Sequence, residues 1–239
     1  MGARAGPGLQ LGTGAGLKQV DLAVTPQREL NAALHEPAPE ASWRVLNPRG
    51  AHALAAGIDA PIEVDVEGHA GYYCAGMNKR ATVRVHGNVG VGVAENIMSG
   101  SVIVDGSASQ SAGATGHGGL VSIRGDASAR CGISMKGVDI VVRGSVGHMS
   151  AFMAQKGRLV VCGDAGEALG DSIYEARLYV RGSVGGLGAD CVEKEMRDEH
   201  AAELRELLEA AEVEDVDAAD FRRYGSARQL YNFHPDNAY

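Results

Sequence analysis

The stretch IVVRGSVG (140–147) sets the pattern of this chain, because it recurs as LVVCGDAG (159–166) and LYVRGSVG (178–185). The glycine at its fifth position belongs to a series in which each member follows the previous one by 19 residues, without insertion or deletion. A fixed short period of this kind is typical of proteins built from stacked repeats. The seven glycines of the series are Gly68, Gly87, Gly106, Gly125, Gly144, Gly163 and Gly182.

Residues at fixed distances from these glycines share the same chemistry. The positions two and four residues before each glycine hold only Val, Ile or Leu, whereas the position directly before it is polar in six of the seven repeats. This alternation predicts a short strand with one buried face that ends at the glycine. Only Gly or Ser lies three residues after the glycine, and only Ala or Gly lies seven residues after it. Such a density of glycine disfavours a helix by about 1 kcal/mol per residue relative to alanine.

The repeat predicts an all-β protein, namely a single-stranded, right-handed parallel β-helix of about seven 19-residue coils with short α-helical extensions. Neighbouring strands lie about 4.8 Å apart, so seven coils would stack over roughly 29 Å. The apolar positions are expected to form a continuous interior ladder. The seven glycines are expected to be structural turn positions, where the backbones of neighbouring coils approach closely. A left-handed acyltransferase helix is disfavoured, because it repeats by hexapeptides and 19 is not a multiple of six.

The sequence predicts four segments. Residues 1–19 form a Gly- and Ala-rich tail, and residues 20–61 form a capping segment with short helices. One of these helices should begin at Thr25-Pro26, with Thr25 as its cap, and the other should span 51–56. The coils occupy residues 62–191. Residues 192–239 comprise an acidic amphipathic helix over 192–213 and a tail rich in aromatic residues and arginine, which either packs on the solenoid as a strap or docks on a partner.

Composition restricts the class of protein. The formal net charge of −8 argues against nucleic acid or an anionic membrane as the main partner. No stretch approaches the ~20 apolar residues of a membrane span, and the first residues lack the apolar core of a secretory signal. The four cysteines form no CxxC pair, and Cys74 and Cys131 would lie three coils apart, about 14 Å, too far for a disulfide. We therefore expect a cytoplasmic protein with buried, reduced thiols.

The sequence shows no motif for catalysis or for binding a metal. The eight histidines are scattered without HxH or HExxH spacing, and neither a P-loop nor a GxSxG motif is present. We therefore predict no catalytic, cofactor-binding or metal-binding residue in this chain.

Arginines are the candidates for an interaction surface. Arg124, Arg143 and Arg181 share one outward position of the repeat, and Arg158 and Arg177 share another. Like charges stacked about 4.8 Å apart repel one another, so we expect either nearby acids on a solvated surface or an acidic partner subunit to neutralise them. The tail adds further candidates for the partner interface, which are Arg222, Arg223, Tyr224, Tyr231 and Phe233.

The spacing Gly-x-x-Gly-x-x-x-(Gly/Ala) recurs in the chain, as in Gly68-Gly71-Ala75 and Gly144-Gly147-Ala151. It resembles the β-helical GXGXG domain that closes the large subunit of glutamate synthase and also occurs as a separate chain of formylmethanofuran dehydrogenase. The resemblance covers residues 62–191. The stand-alone length, the lead-in and the tail FRRYGSARQLYNF (221–233) are most similar to the separate small GXGXG chain of N-methylglutamate synthase (methylamine–glutamate N-methyltransferase) and to related glutamate-synthase-like small subunits.

In that family the chemistry belongs to other domains or other subunits. The resemblance implies a class II glutamine-amidotransferase subunit and a synthase subunit that carries FMN and an iron–sulfur cluster as partners, with no cofactor in this chain. It further implies a non-catalytic scaffold that holds those two subunits together while methylamine and glutamate form N-methylglutamate.

Three alternatives to this assignment differ in their chemistry. Two keep the fold: the GXGXG chain of a formylmethanofuran-dehydrogenase-like complex, and the small subunit of a glutamate synthase. The third is a carbohydrate-active β-helix, which is disfavoured because such enzymes display clustered carboxylates where this chain has mixed and arginine-containing positions.

Overall fold

The computed structural model describes residues 16–37 and 42–227. Within them, all strands belong to one eleven-stranded sheet, accompanied by two α-helices and one short 3₁₀ helix. The strands are β1 Leu17–Asp21, β2 Ser42–Leu46, β3 Glu63–Glu67, β4 Thr82–Val85, β5 Ser101–Val104, β6 Leu120–Ile123, β7 Lys136–Val142, β8 Lys156–Val161, β9 Arg177–Val180, β10 Cys191–Lys194 and β11 Arg222–Ser226. The helices are α1 Gln27–His35, α2 Asp198–Ala210 and the 3₁₀ helix Ala218–Asp220.

Strands β1 to β9 lie side by side in chain order and are all parallel. From β3 to β9 the paired apolar residues are 19 positions apart, as in Val64 with Val83 and Leu159 with Leu178. A second ladder of parallel bridges joins the residues two positions after successive glycines, beginning with Ala70 and Val89. The prediction of an all-β parallel β-helix with about seven coils is confirmed.

The interior of the solenoid is a thin core of small and branched aliphatic side chains. Val66, Val85, Val104 and their equivalents in the later coils are almost completely buried and form one continuous cluster. Burying a valine side chain contributes about 1.5–3 kcal/mol, so this stack of equivalent residues stabilises each coil against its neighbours.

The residue directly after each repeat glycine links one coil to the next. The Ser107 N–H donates to Asn88 Oδ1 at 2.9 Å, and the Ser145 N–H donates to Asp126 Oδ1 at 2.8 Å. The same bond recurs at equivalent positions in other coils, including one from the Asn88 N–H to His69 Nδ1. A short side chain with an acceptor atom satisfies a backbone donor here, which explains why the position holds Asn, Ser, Asp or His.

Between each turn and the next strand, alternate residues have positive φ. In the β3 coil these are Tyr73, Ala75 and Met77, with φ of 58°, 53° and 57°. The position seven residues after the repeat glycine is one of them, so the Ala/Gly preference coincides with a left-handed backbone in six of the seven repeats. Ala189 in the last repeat is the exception.

The N-terminal segment differs from its prediction. Strand β2 pairs in register with β3, Trp43 opposite Val64, and β1 pairs with β2, so the sheet extends beyond the seven repeats. The helix predicted over 51–56 is wrong, because this stretch forms turns in which Ala53 and Ala55 have positive φ. It completes the β2 coil, since the Ala75 N–H donates to Leu54 O at 2.9 Å.

Helix α1 begins one residue later than its sequence signal suggests. Its cap position is Pro26, without a side-chain cap hydrogen bond, so Thr25 is not the cap. Leu30 and Leu34 are completely buried and belong to the solenoid core cluster. The helix therefore lies against the N-terminal coils and covers part of the interior.

The C-terminal segment closes the other end and covers one outer face. Strand β11 pairs antiparallel with both β9 and β10, and Tyr224 joins the interior cluster. Helix α2 is shorter than the predicted 192–213. Its Leu204, Leu207 and Leu208 pack on outward-facing side chains of β7 to β9, which are Val141, Val160 and Tyr179.

Candidate interaction surface

Carboxylates of the C-terminal segment cover several of the arginines that the sequence singled out. Arg124 binds Glu212, and it also pairs with Asp105 at 3.2 Å. Glu212 also pairs with Arg84 of β4 at 3.1 Å. One carboxylate therefore bridges Arg84 and Arg124, the residue that follows β6. Arg143 pairs with Asp215 at 2.5 Å. Residues 212–215 thus lie across the outward ends of β4 to β7.

Glu203 of α2 has the same role for the second group of arginines. Arg177 pairs with Glu203 at 2.6 Å, and Arg158 pairs with the same carboxylate at 3.4 Å. The Tyr179 hydroxyl also donates to Glu203, at 2.6 Å. The Glu203 side chain is only 17% exposed. Arg158 also binds Asp139, and that hydrogen bond raises the pKa of Arg158. Burial raises the pKa of Tyr179, and the hydrogen bond to Glu203 adds to this shift.

Arg181, Arg222 and Arg223 have different partners. Each donates to a backbone carbonyl. Arg181 donates to Cys162 O at 2.9 Å, Arg222 to Gly182 O at 2.8 Å and Arg223 to Glu195 O at 2.9 Å. Within the described part of the chain, none of the three forms an ion pair with a carboxylate. Burial lowers the pKa of Arg223, and the nearby cations Arg197 and Arg177 lower it further.

The aromatic candidates of the tail give a mixed result. Tyr224 is 2% exposed and packs inside the solenoid, so its side chain is not accessible to a partner in this structure. For residues 222–226, strand β11 corresponds to the packed strap rather than the free docking tail. Tyr231 and Phe233 lie outside the described residues, and their assignment to an interface stays a prediction.

A histidine beside the arginines takes part in the charge network. His86 Nδ1 lies 2.7 Å from Asp105 Oδ2, and Nε2 lies 3.0 Å from Asp65 Oδ1. Ionised carboxylates only accept hydrogen bonds, so both contacts are satisfied together when the imidazole is protonated. Partial burial lowers the pKa of His86, but the hydrogen bonds that the imidazolium donates to Asp65 and Asp105 outweigh it and the net pKa is raised.

The four cysteines are buried and unpaired. Burial raises the pKa of Cys74 and Cys131 to about 12 and that of Cys162 and Cys191 to about 11. These thiols are therefore poor nucleophiles at neutral pH, since the thiolate is the reactive form. The described residues contain no group of three or more His, Cys, Asp or Glu arranged to hold a metal ion.

The sequence analysis missed four exposed apolar side chains on the first two repeats, which we together call the aromatic patch. It consists of Tyr72, Tyr73, Met77 and Met98, which are between 44% and 56% exposed. The His52 ring stacks on Tyr72 with the ring centroids 4.5 Å apart. A signal was available, because the positions of Tyr72 and Tyr73 hold no Phe, Tyr or Trp in the six later repeats.

A polar groove, which we call the lysine groove, was also missed. A cavity of about 600 Å³ is lined by Lys136, Gln155, Lys156, Tyr174 and Glu175 at the corner where β7 and β8 begin. A second cavity of about 450 Å³ shares Lys156 and Glu175 with it, and extends towards Arg158 and Arg177. The groove thus runs from the solenoid corner towards the arginines that Glu203 holds.

Comparison with known proteins identifies the family. No protein-family model and no solved structure matches the chain. It is 64% identical over 222 residues to Protein GlxC of Rhizobium meliloti (strain 1021), and the match covers 92% of this chain and 97% of the relative. The chain belongs to the GlxC family. Coverage on this scale includes the coils and most of the extensions, so the GlxC relative is expected to share the fold as a whole.

Neither α1 nor α2, the α-helices found in 16–37 and 42–227, is long and apolar enough to cross a membrane.

Proposed function

We propose that this chain is a non-catalytic scaffold subunit of a heteromeric glutamate-synthase-like complex. In this proposal it holds a class II glutamine-amidotransferase subunit and a synthase subunit together. FMN and the iron–sulfur cluster belong to the synthase subunit. The reaction we assign to the complex is the formation of N-methylglutamate from methylamine and glutamate.

One observation carries the scaffold role: two exposed surfaces of different chemistry lie on separate coils of one in-register solenoid. The aromatic patch belongs to the coils of β3 and β4, and the lysine groove belongs to those of β7 to β9. At about 4.8 Å per strand, they are separated along the stack by roughly 14–29 Å. Exposed Tyr and Met are enriched at protein interfaces, whereas a groove that presents two lysines without ion-pair partners favours an acidic partner.

The glutamate-synthase part of the proposal depends on the GXGXG resemblance of residues 62–191. The structure gives that spacing a physical basis. A Cβ at Gly87 would lie 2.8 Å from the Gly68 carbonyl carbon, and one at Gly90 would lie 2.7 Å from the Gly71 carbonyl carbon. Because these glycines serve coil packing, we infer that the repeat builds the scaffold and does not bind a ligand.

Purification of the tagged chain from its native source tests membership of the complex. We expect an amidotransferase-like protein and a protein with flavin absorbance to co-purify at fixed ratios, and the assembly to form N-methylglutamate from methylamine and glutamate. Recovery of the chain alone would contradict the proposal. Co-purification with a molybdenum- or tungsten-containing protein would favour the formylmethanofuran-dehydrogenase alternative instead.

A further inference from the structure

We propose that the lysine groove docks an acidic segment of a partner subunit, whose carboxylates bind Lys136 and Lys156. The inference rests on the proposed function, because it specifies the chemistry of one partner contact. Its central feature is that Lys136 of β7 and Lys156 of β8 are paired directly in the register of the sheet. Both side chains are exposed and line the same cavity.

Neither ammonium group forms an ion pair with a carboxylate of the described residues, although Glu175 lines the same cavity. Lys79, by contrast, pairs with Asp59 at 2.8 Å, and the outward arginines of β8 and β9, Arg158 and Arg177, bind Asp139 and Glu203. Like charges directly opposite on neighbouring strands destabilise a sheet. The chain carries a net charge of −8, yet these two lysines lie directly opposite each other on neighbouring strands, and carboxylates from outside the chain would neutralise both.

The floor of the groove is free of side chains next to the lysines. Gly137 and Gly157 follow Lys136 and Lys156, with φ of 144° and 108°. A Cβ at Gly157 would lie 3.0 Å from the Gly137 carbonyl carbon, so these positions exclude larger residues for backbone reasons. The consequence is bare backbone in the wall of the second cavity, next in sequence to each lysine, which leaves room for an incoming chain.

The other residues that line the groove further define the chemistry of the partner segment that would bind there. Glu175 lies between the two cavities and forms no ion pair within 16–37 and 42–227. Tyr174 and Gln155 supply a hydroxyl and an amide that can hydrogen-bond to carboxylates. A matching segment therefore carries at least two carboxylates for the lysines and one basic group for Glu175. The groove is polar and open to solvent, unlike the enclosed apolar pockets that hold small ligands.

The test compares two variants of the full chain that lose the same charge. Lys136→Gln/Lys156→Gln removes the groove cations, and Lys79→Gln/Lys194→Gln removes two lysines elsewhere. Each is purified with its partners from the native source, and binding is measured as a function of salt. We expect the groove variant to bind its partner about tenfold more weakly, with a smaller salt dependence, and the control variant to bind like the wild type.

Zero-length carbodiimide cross-linking of the wild-type complex locates the contact, because it joins a lysine amine to a carboxylate in direct contact. We expect mass spectrometry to find Lys136 and Lys156 linked to Asp or Glu of another subunit. If partners co-purify but these lysines form no such link and the groove variant binds normally, the inference is wrong while the scaffold function stands. If the wild type recovers no partner, both are wrong.

Discussion

At the scale of single residues, Gly144 shows why the 19-residue period is maintained. A Cβ at this position would lie 2.8 Å from the Gly125 carbonyl oxygen, a distance that real Cβ atoms essentially never show. We predict that Gly144→Ala lowers the free energy of unfolding by about 1–3 kcal/mol, measured by urea denaturation. Gly225→Ala is the control, because its nearest contact would be 3.7 Å, and it should change stability by less than about 0.5 kcal/mol. Equal effects of the two substitutions would contradict this packing argument.

His86 gives a second prediction, which concerns pH. Its pKa in the folded chain is raised above the ordinary value of 6.5, so protonated His86 stabilises the folded state. This stabilisation is fully present below the pKa of the unfolded chain, and it is lost as the pH rises through the folded pKa. We expect His86→Gln to destabilise the protein more at about pH 5.5 than at about pH 8.

The control for this pH effect is His117→Gln, which changes an exposed histidine that forms no ion pair within the described residues. Because no side-chain ion pair is lost, we expect His117→Gln to destabilise the protein less than His86→Gln does at about pH 5.5. An NMR titration of His86 measures the shift directly. A midpoint at or below 6.5 would show that the contacts with Asp65 and Asp105 do not hold the imidazolium form in solution.

At the scale of elements, α2 depends on the apolar side chains beneath it. Leu204 is completely buried between the helix and the outer face of the sheet. We predict that Leu204→Ala costs about 2–5 kcal/mol and raises amide hydrogen exchange within 198–210. The exposed Glu206 on the same helix is the matched site, and Glu206→Ala should leave exchange unchanged. Normal protection in Leu204→Ala would mean that this contact does not hold α2.

The 19-residue repeat predicted some of the secondary-structure elements and missed others. Strands β3 to β9 were predictable, because the period is unbroken and the positions two and four residues before each repeat glycine are always apolar. Strand β2 was missed since Trp43 precedes Val64 by 21 residues rather than 19, and β1 was missed because α1 is inserted before β2. The error at 51–56 has a different cause. Alanine favours a helix locally, but hydrogen bonds between coils impose positive φ on Ala53 and Ala55.

The candidate surface was only partly predictable for a related reason. The repeat positions identified the outward-facing arginines. They could not reveal that three carboxylates distant in sequence, Glu203, Glu212 and Asp215, would form ion pairs with four of them. One signal was available in the sequence. Val141, Val160 and Tyr179 are apolar or aromatic at an outward position, so another segment of the chain had to bury them. The pairing of Lys136 with Lys156 was hidden by an irregularity in register between β7 and β8.

At the scale of the whole molecule, the stacked coils and the segments at both ends form one body with a single continuous interior. The main core cluster includes Leu30 of α1 at one end and Tyr224 of β11 at the other. A body of this kind can hold two partners at a fixed separation, since moving one docking surface relative to the other would break contacts between coils. The scaffold proposal depends on this property.

The most direct test of the scaffold proposal is a sedimentation-velocity measurement on the amidotransferase and synthase subunits, with and without this chain. We predict that the two subunits sediment separately when mixed alone. Adding the chain should produce one faster species that contains all three proteins. Association of the two catalytic subunits in its absence, with no change in sedimentation when it is added, would contradict the proposal that this chain holds them together.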